Sequence, residues 1–201
     1  RPLAEIPAPD GNGSYDQYFL KPFFKSLKNV GVIPEVVDNY QFYKDGKYIE
    51  CTKIIIDNRE KARNILEKIS GRQLPKNWFP WTFKDENGKL CNGKFIRYEW
   101  PNVYFENEEG KEIVNNLEKG EGKLPWRLDW PSKWKILNVT FEAFGKDHAT
   151  KGGSFDTGKR IVRNILGSAV PHHIVYEWIN LKGKGAMHSS TGLAISADEM
   201  L

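Results

Sequence analysis

Two cysteines in 201 residues, Cys51 and Cys91, are too few for a disulfide framework and cannot build a zinc cluster by themselves. Their scarcity suits a reducing compartment, and we expect a cytoplasmic protein. No apolar run approaches the length of a membrane span, so no membrane role is expected. Nothing reads as a signal peptide. Internal repeats and low-complexity segments are missing, which excludes solenoids and tails. Acidic residues are not in excess: 30 Lys and Arg against 26 Asp and Glu leave a net charge of +4. That mild basicity permits contact with nucleic acid or nucleotides without establishing it. The chain opens on Arg1 rather than Met and stops within an unfinished pattern, so it reads as a piece of something longer.

What is present is an aromatic-rich chain, 13% Phe, Trp and Tyr with seven Trp, enough to bury a core. Residues 1–13 read as a Pro/Gly loop. Apolar spacing predicts a helix over 14–30, with Ser14 as N-cap and Gly31 as stop. Val32 to Tyr43 looks extended. Tyr48 to Ser70 reads as the strongest helix, ended by Gly71. The texture then changes. Leu74 to Phe105, with turns at Asn87-Gly88 and Asn92-Gly93, reads as a small antiparallel β insert. Glu106 to Gly122 reads as a loop or short helix. From Leu124 the pattern is α/β again: a helix end and strand over 134–144, a helix over 157–166, and an apolar run over 172–181.

The stretch Gly145-Lys146-Asp147-His148-Ala149-Thr150-Lys151-Gly152-Gly153-Ser154-Phe155-Asp156-Thr157-Gly158 joins that strand to that helix. Glycines let backbone approach a ligand, and a helix start offers free N–H groups and a positive dipole end. The spacing matches neither the dinucleotide fingerprint nor a Walker loop. A tight turn capped by Asp156 is the plainer reading of the same residues.

Three blocks together give a sharper signal: Trp126-Arg127-Leu128-Asp129-Trp130-Pro131, the run Gly145 to Gly158, and Val175-Tyr176-Glu177-Trp178-Ile179 followed by Lys182-Gly183. In this order they resemble class I lysyl-tRNA synthetases, the form found in archaea and some bacteria. The resemblance covers roughly Leu124 to Gly192, and residues 1–72 fit more loosely. It implies a partial Rossmann-like class I aminoacyl-tRNA synthetase catalytic domain, α/β in class, with a small β-rich connective insertion. Residues 1–72 would be the remainder of the first half, 73–123 the connective insertion, and 124–201 the second half with the signature loop. The activity implied is lysine–tRNA ligase: ATP-dependent lysine activation and transfer to tRNA(Lys) in protein biosynthesis. Magnesium would accompany ATP as its substrate complex.

Three departures stand beside the match. The family's His-x-Gly-x ATP motif is absent and belongs upstream of Arg1. Only Cys91 lies where many archaeal members carry a zinc finger, so no zinc is expected. The family's Lys-Met-Ser-Ser-Ser-Lys-Gly loop appears as Ala186-Met187-His188-Ser189-Ser190-Thr191-Gly192, with both lysines replaced.

The resemblance implies an ATP set of Gly145, Asp147, His148, Gly152, Gly153 and Met187. Asp147 would accept from a ribose hydroxyl, or else close the turn. Trp126, Asp129 and Tyr176 would hold the substrate lysine, whose ammonium wants a carboxylate and an aromatic face. Trp130 and Trp134, four residues apart, read instead as one packed helix face. Ser189 and Ser190 keep their hydroxyls, and Lys184 or Lys182 would partly replace the missing loop charge, or else both are solvated loop residues. His172 and His173 lack the partners of a metal site. The tRNA acceptor end would meet Lys76, Lys89 and Lys94. Two other readings remain open: a non-catalytic module that binds tRNA or nucleotide, and a related class I synthetase for another amino acid such as glutamate.

Overall fold

The computed structural model describes residues 1–187, 195, 196 and 199. Two compact units divide the chain: residues 1–40 with those from Glu177 onward, and Gln41–Tyr176.

In the first unit, α1 spans Tyr15–Asn29. It ends as expected: Gly31 takes φ 77°, Val32 N–H donates to Leu27 O at 2.9 Å and Gly31 N–H to Lys28 O at 3.0 Å. This is a Schellman stop, which needs a left-handed residue and so favours glycine. Ser14 precedes the helix, but its side chain makes no capping bond. Tyr40 Oη donates to Glu5 Oε1 at 2.7 Å, tying the short 3-10 turn Leu3–Glu5 to the start of helix α2, Asn39–Lys44. The extended stretch expected over 32–43 therefore turns helical at its end. Near the C-terminus a short hairpin pairs Asn180–Leu181 with Gly185–Ala186.

The second unit holds the core. The single helix expected over 48–70 is two, α3 Ile49–Asp57 and α4 Arg59–Ser70. Asn58 breaks it: its carboxamide donates to Ile54 O at 2.9 Å, competing with the backbone ladder. Six strands follow: β1 Thr82–Lys84, β2 Leu90–Cys91, β3 Lys94–Glu99, β4 Asn102–Glu106, β5 Glu112–Asn116 and β6 Gly122–Lys123. They form two antiparallel sheets, ordered β2-β1-β6 and β3-β4-β5. Asn87-Gly88 turns the β1–β2 hairpin as expected, with Gly88 at φ 76°. Asn92-Gly93 instead carries the chain from one sheet to the other, and Gly93 is small because a Cβ would overlap the Phe105 ring.

Residues 112–116 were expected in a loop or short helix; they are strand β5. Its inward Asn115, 3% exposed, replaces a ladder partner: its carboxamide accepts from Lys84 N–H and donates to Lys84 O, both at 2.8 Å, joining the two sheets.

The chain then runs through α5 Trp126–Ile136, β7 Phe141–Gly145, α6 Lys146–Ala149, α7 Ser154–Asn164 and β8 His172–Tyr176. Strands β7 and β8 pair in parallel, from Phe141 opposite His172 to Gly145 opposite Tyr176. A parallel pair needs a crossover, and α6 and α7 supply it. Helices α5 and α7 pack closely because Gly158 has no side chain; a Cβ there would lie 2.9 Å from the Trp134 ring. Trp134, Phe144, Phe155, Ile161 and Val162 are buried in this core with Ile55, Ile56 and Leu128.

Candidate active site

Strands β7 and β8 end together at Gly145 and Tyr176, the carboxyl end of the parallel pair, where ligands sit in open α/β sheets. Gly145 is the N-cap of α6. A Cβ on it would lie 2.8 Å from Asp147 Oδ1 and 3.6 Å from Tyr176 Cε2. Asp147 is exposed, and its Oδ2 lies 3.7 Å from His148 Nε2. The His148 ring is 5.8 Å from Trp126 and 5.5 Å from Trp130. Trp126, 46% exposed, stacks on Trp130 at 5.2 Å. An open wall of aromatic faces, one carboxylate and one imidazole thus surrounds a glycine. Such a wall can cover a base or an apolar chain and accept from hydroxyls.

Helix α5 builds the other side through alternating duties. Trp130 and Trp134 are buried, only 6% and 2% exposed, the packed face expected of them. Asp129 is only 4% exposed and already engaged. Tyr43 Oη donates to its Oδ2 at 2.7 Å, and Lys133 Nζ lies 2.8 Å from its Oδ1. The same Lys133 ammonium sits 5.6 Å from the Trp126 ring. The chain's own lysine therefore occupies Asp129 beside Trp126, two of the three residues expected to hold the substrate lysine. Tyr43 also accepts from Leu124 N–H at 3.0 Å and stacks on Tyr48 at 3.9 Å. Burial, with Asp129 alongside, pushes the Tyr43 hydroxyl well above its ordinary pKa, so it stays a donor.

The glycine-rich turn beyond α6 is closed. Gly152, at φ 77°, lies so near α4 that a Cβ would be 2.7 Å from Ile69 O. One on Gly153 would be 2.6 Å from both His148 O and Thr150 O. The close approach these two glycines allow is to the chain's own backbone. Asp156 is the third residue of α7, whose N-cap is Gly153, so it does not cap that helix as expected; its Oδ2 instead accepts from Gly152 N–H at 3.1 Å, closing the turn, and its Oδ1 pairs with Lys159 at 2.8 Å. The Lys159 hydrogen bond holds its carboxyl below the usual range. Arg127 finishes the closure. Its Nη1 donates to Gly152 O at 3.1 Å, Gly153 O at 3.0 Å and Thr157 Oγ1 at 3.1 Å. Burial and the nearby Arg72 lower its pKa. Sequence reasoning overlooked Arg127 and Lys133; a charged residue inside the Trp-rich helix start was the only available signal.

His172 and His173 lie in β8, and His173 packs on Phe155 at 4.3 Å between ring centres. Lys184 and Met187 belong to the other unit. Lys184 sits exposed in the hairpin turn, its N–H bonding Leu181 O at 2.9 Å, and Met187 N–H bonds Ile179 O at 2.9 Å. Ser189 and Ser190 lie outside the described residues. Among the described residues no group of three or more His, Cys, Asp or Glu is placed to hold a metal ion, and no helix is long and apolar enough to cross a membrane.

A family model described as tRNA synthetases class I (K) matches residues 1–201. The chain belongs to that family. The chain is 43% identical over 202 residues to a lysine–tRNA ligase of Thermoplasma acidophilum, covering 100% of this chain and 40% of that protein. It is 44% identical over 205 residues to that of Methanosarcina barkeri strain Fusaro, covering 100% and 38%. For Archaeoglobus fulgidus the figures are 41% over 203 residues, 100% and 41%. The chain thus spans about 40% of the length of the curated relatives it matches. This class I synthetase segment is a mixed α and β domain.

Proposed function

We propose that the chain carries part of the site where a class I lysine–tRNA ligase activates lysine with ATP and passes it to tRNA(Lys). The observation that carries this reading is the continuous wall Trp126–His148–Asp147–Gly145–Tyr176 at the strand ends of a chain in this family. The proposed frame is a cytoplasmic enzyme with a Rossmann-like catalytic domain. In it, β7 and β8 with their crossover belong to the second half, 124–201. Residues 1–72 supply the remainder of the first half, and 73–123 the connective insertion.

In this reading a lysine carboxylate oxygen attacks the α-phosphorus of ATP and pyrophosphate leaves. No protein nucleophile is needed, so positioning and charge stabilisation carry the catalysis. Gly145 lets the nucleotide approach, Asp147 accepts from a ribose hydroxyl and His148 flanks the base. Gly152 and Gly153 support ATP from behind, by fixing the turn that carries His148. Trp126 and Tyr176 give the substrate lysine its walls, and Asp129 holds Lys133 beside the Trp126 ring. Magnesium arrives bound to the ATP phosphates. Met187, Ser189, Ser190 and Lys184 would act on ATP from the loop, Lys184 or Lys182 providing the charge that the family's loop lysines supply elsewhere.

One observation favours a second reading. Ala186 stands where the family's loop carries a lysine, and losing one preorganised charge costs about 10²–10³ in rate. A non-catalytic module that binds tRNA or nucleotide would tolerate that loss. Lysine-dependent ATP–pyrophosphate exchange on the intact protein decides between them. Exchange with lysine and no other amino acid supports the ligase. A folded protein that binds tRNA without exchange supports the module.

A further inference from the structure

Helix α5 carries a cation where its neighbours would suit a cationic ligand. Lys133 lies one turn beyond Asp129 and two beyond Trp126, so the three share one face of the helix. The Asp129 side chain is 6% exposed and that of Lys133 28%. Tyr43 Oη fixes one carboxylate oxygen at 2.7 Å, and the other holds Lys133 Nζ at 2.8 Å. The ammonium so held stands over the Trp126 ring, 5.6 Å from its centre. Trp130 stacks on the same ring, 16° from parallel, yet Trp126 stays half-exposed beside His148. The electron-rich face that would draw in a second cation is therefore already engaged, and like charges repel over a few ångströms. An uncharged hydrocarbon chain still gains by covering the ring.

We propose that Lys133 is a specificity-determining residue: a fixed positive charge that turns ammonium groups away from Trp126 and leaves the ring to the uncharged chain of the amino acid. The substrate side of this inference rests on the ligase reading; the charge effect on Trp126 does not. The substrate lysine lays its methylenes against the ring and carries its ammonium past it. Ornithine, one carbon shorter, brings its ammonium closer to the ring and to Lys133, and is rejected. Norleucine has the length of ornithine with a methyl group in place of the ammonium, so Lys133 does not sense it. Asp129 serves here as a positioning residue: it acts on the substrate only through Lys133, with Tyr43 behind it.

The test compares quenching of Trp126 fluorescence by caesium, iodide and acrylamide in the intact protein, at constant ionic strength and without ATP or lysine. Subtracting the signal of Trp126→Phe in each background isolates this ring. Iodide should quench it better than caesium. Lys133→Met alone would leave Asp129 a buried lone carboxylate, so Lys133→Met/Asp129→Asn is the variant to use. There caesium quenching rises about two-fold and iodide quenching falls by about as much, while acrylamide is unchanged. Lys133→Arg keeps the wild-type ratio. In the exchange assay, ornithine competes with lysine about five-fold better in the double variant, and norleucine competes as before. A caesium-to-iodide ratio that does not move overturns the proposal, as does an equal gain by ornithine and norleucine. Acrylamide quenching that changes as much as caesium quenching also overturns it, by showing that the ring itself has moved. A shifted ratio in a protein without exchange fails the ligase reading alone.

Discussion

The two glycine-bearing turns on either side of α6 look alike in sequence and differ in purpose. At Gly145 the missing side chain faces an open wall, and the nearest obstacle to a Cβ is the movable end of Asp147. At Gly152 and Gly153 it faces fixed backbone carbonyls, and Arg127 clasps the turn from behind. Glycine therefore leaves room beside exposed side chains in the first turn, where we propose a nucleotide approaches, and allows close chain packing in the second. A glycine-rich string gives no means to tell these apart; the neighbours do.

Substitutions separate the two turns. Gly153→Ala has the largest expected effect, about 2–3 kcal/mol of stability, because neither His148 O nor Thr150 O can retreat. Urea unfolding measures it, and a loss below about 0.5 kcal/mol would show the turn to be pliable. Arg127→Met follows at about 2 kcal/mol, since it strips donors from two turn carbonyls and a hydroxyl. Gly145→Ala reverses the pattern: under about 0.5 kcal/mol in stability, with the KM for ATP raised several-fold in the exchange assay. Equal KM values for Gly145→Ala and wild type would sink the contrast.

Asp156→Asn is the mildest and depends on pH. Its folded pKa lies below the unfolded value, so its stabilising contribution is present above the ordinary 3.8 and fades as pH falls through the folded pKa. The gap between wild type and Asp156→Asn in urea midpoint should be open at about pH 5 and narrow by about pH 3.

Much of the architecture was legible in the sequence because it follows local rules. The Gly31 stop, the Asn87-Gly88 hairpin and the buried Trp130–Trp134 stripe each need only a few neighbouring residues. Failures came where a distant partner decides. Asn58 is the exception, because the carbonyl its side chain takes, Ile54 O, is only four residues back. Strand β5 looks too polar until Asn115 finds Lys84, 31 residues earlier in the chain. The site shows the same division. Gly145, Asp147, His148 and Trp126 form one wall, whereas Asp129 turned inward to Tyr43, 86 residues away. Gly152 was placed against α4, and Gly153 against the carbonyls of His148 and Thr150, which sequence spacing does not display.

The contact of Gly158 with Trp134 has an evolutionary consequence. Enlarging residue 158 collides with the indole, while shrinking residue 134 alone opens a void at the centre of the core. Each position blocks the single-step drift of the other, so a lineage can leave this pairing only by changing both together. In relatives the two sites should covary, with a smaller ring at 134 wherever 158 gains a side chain.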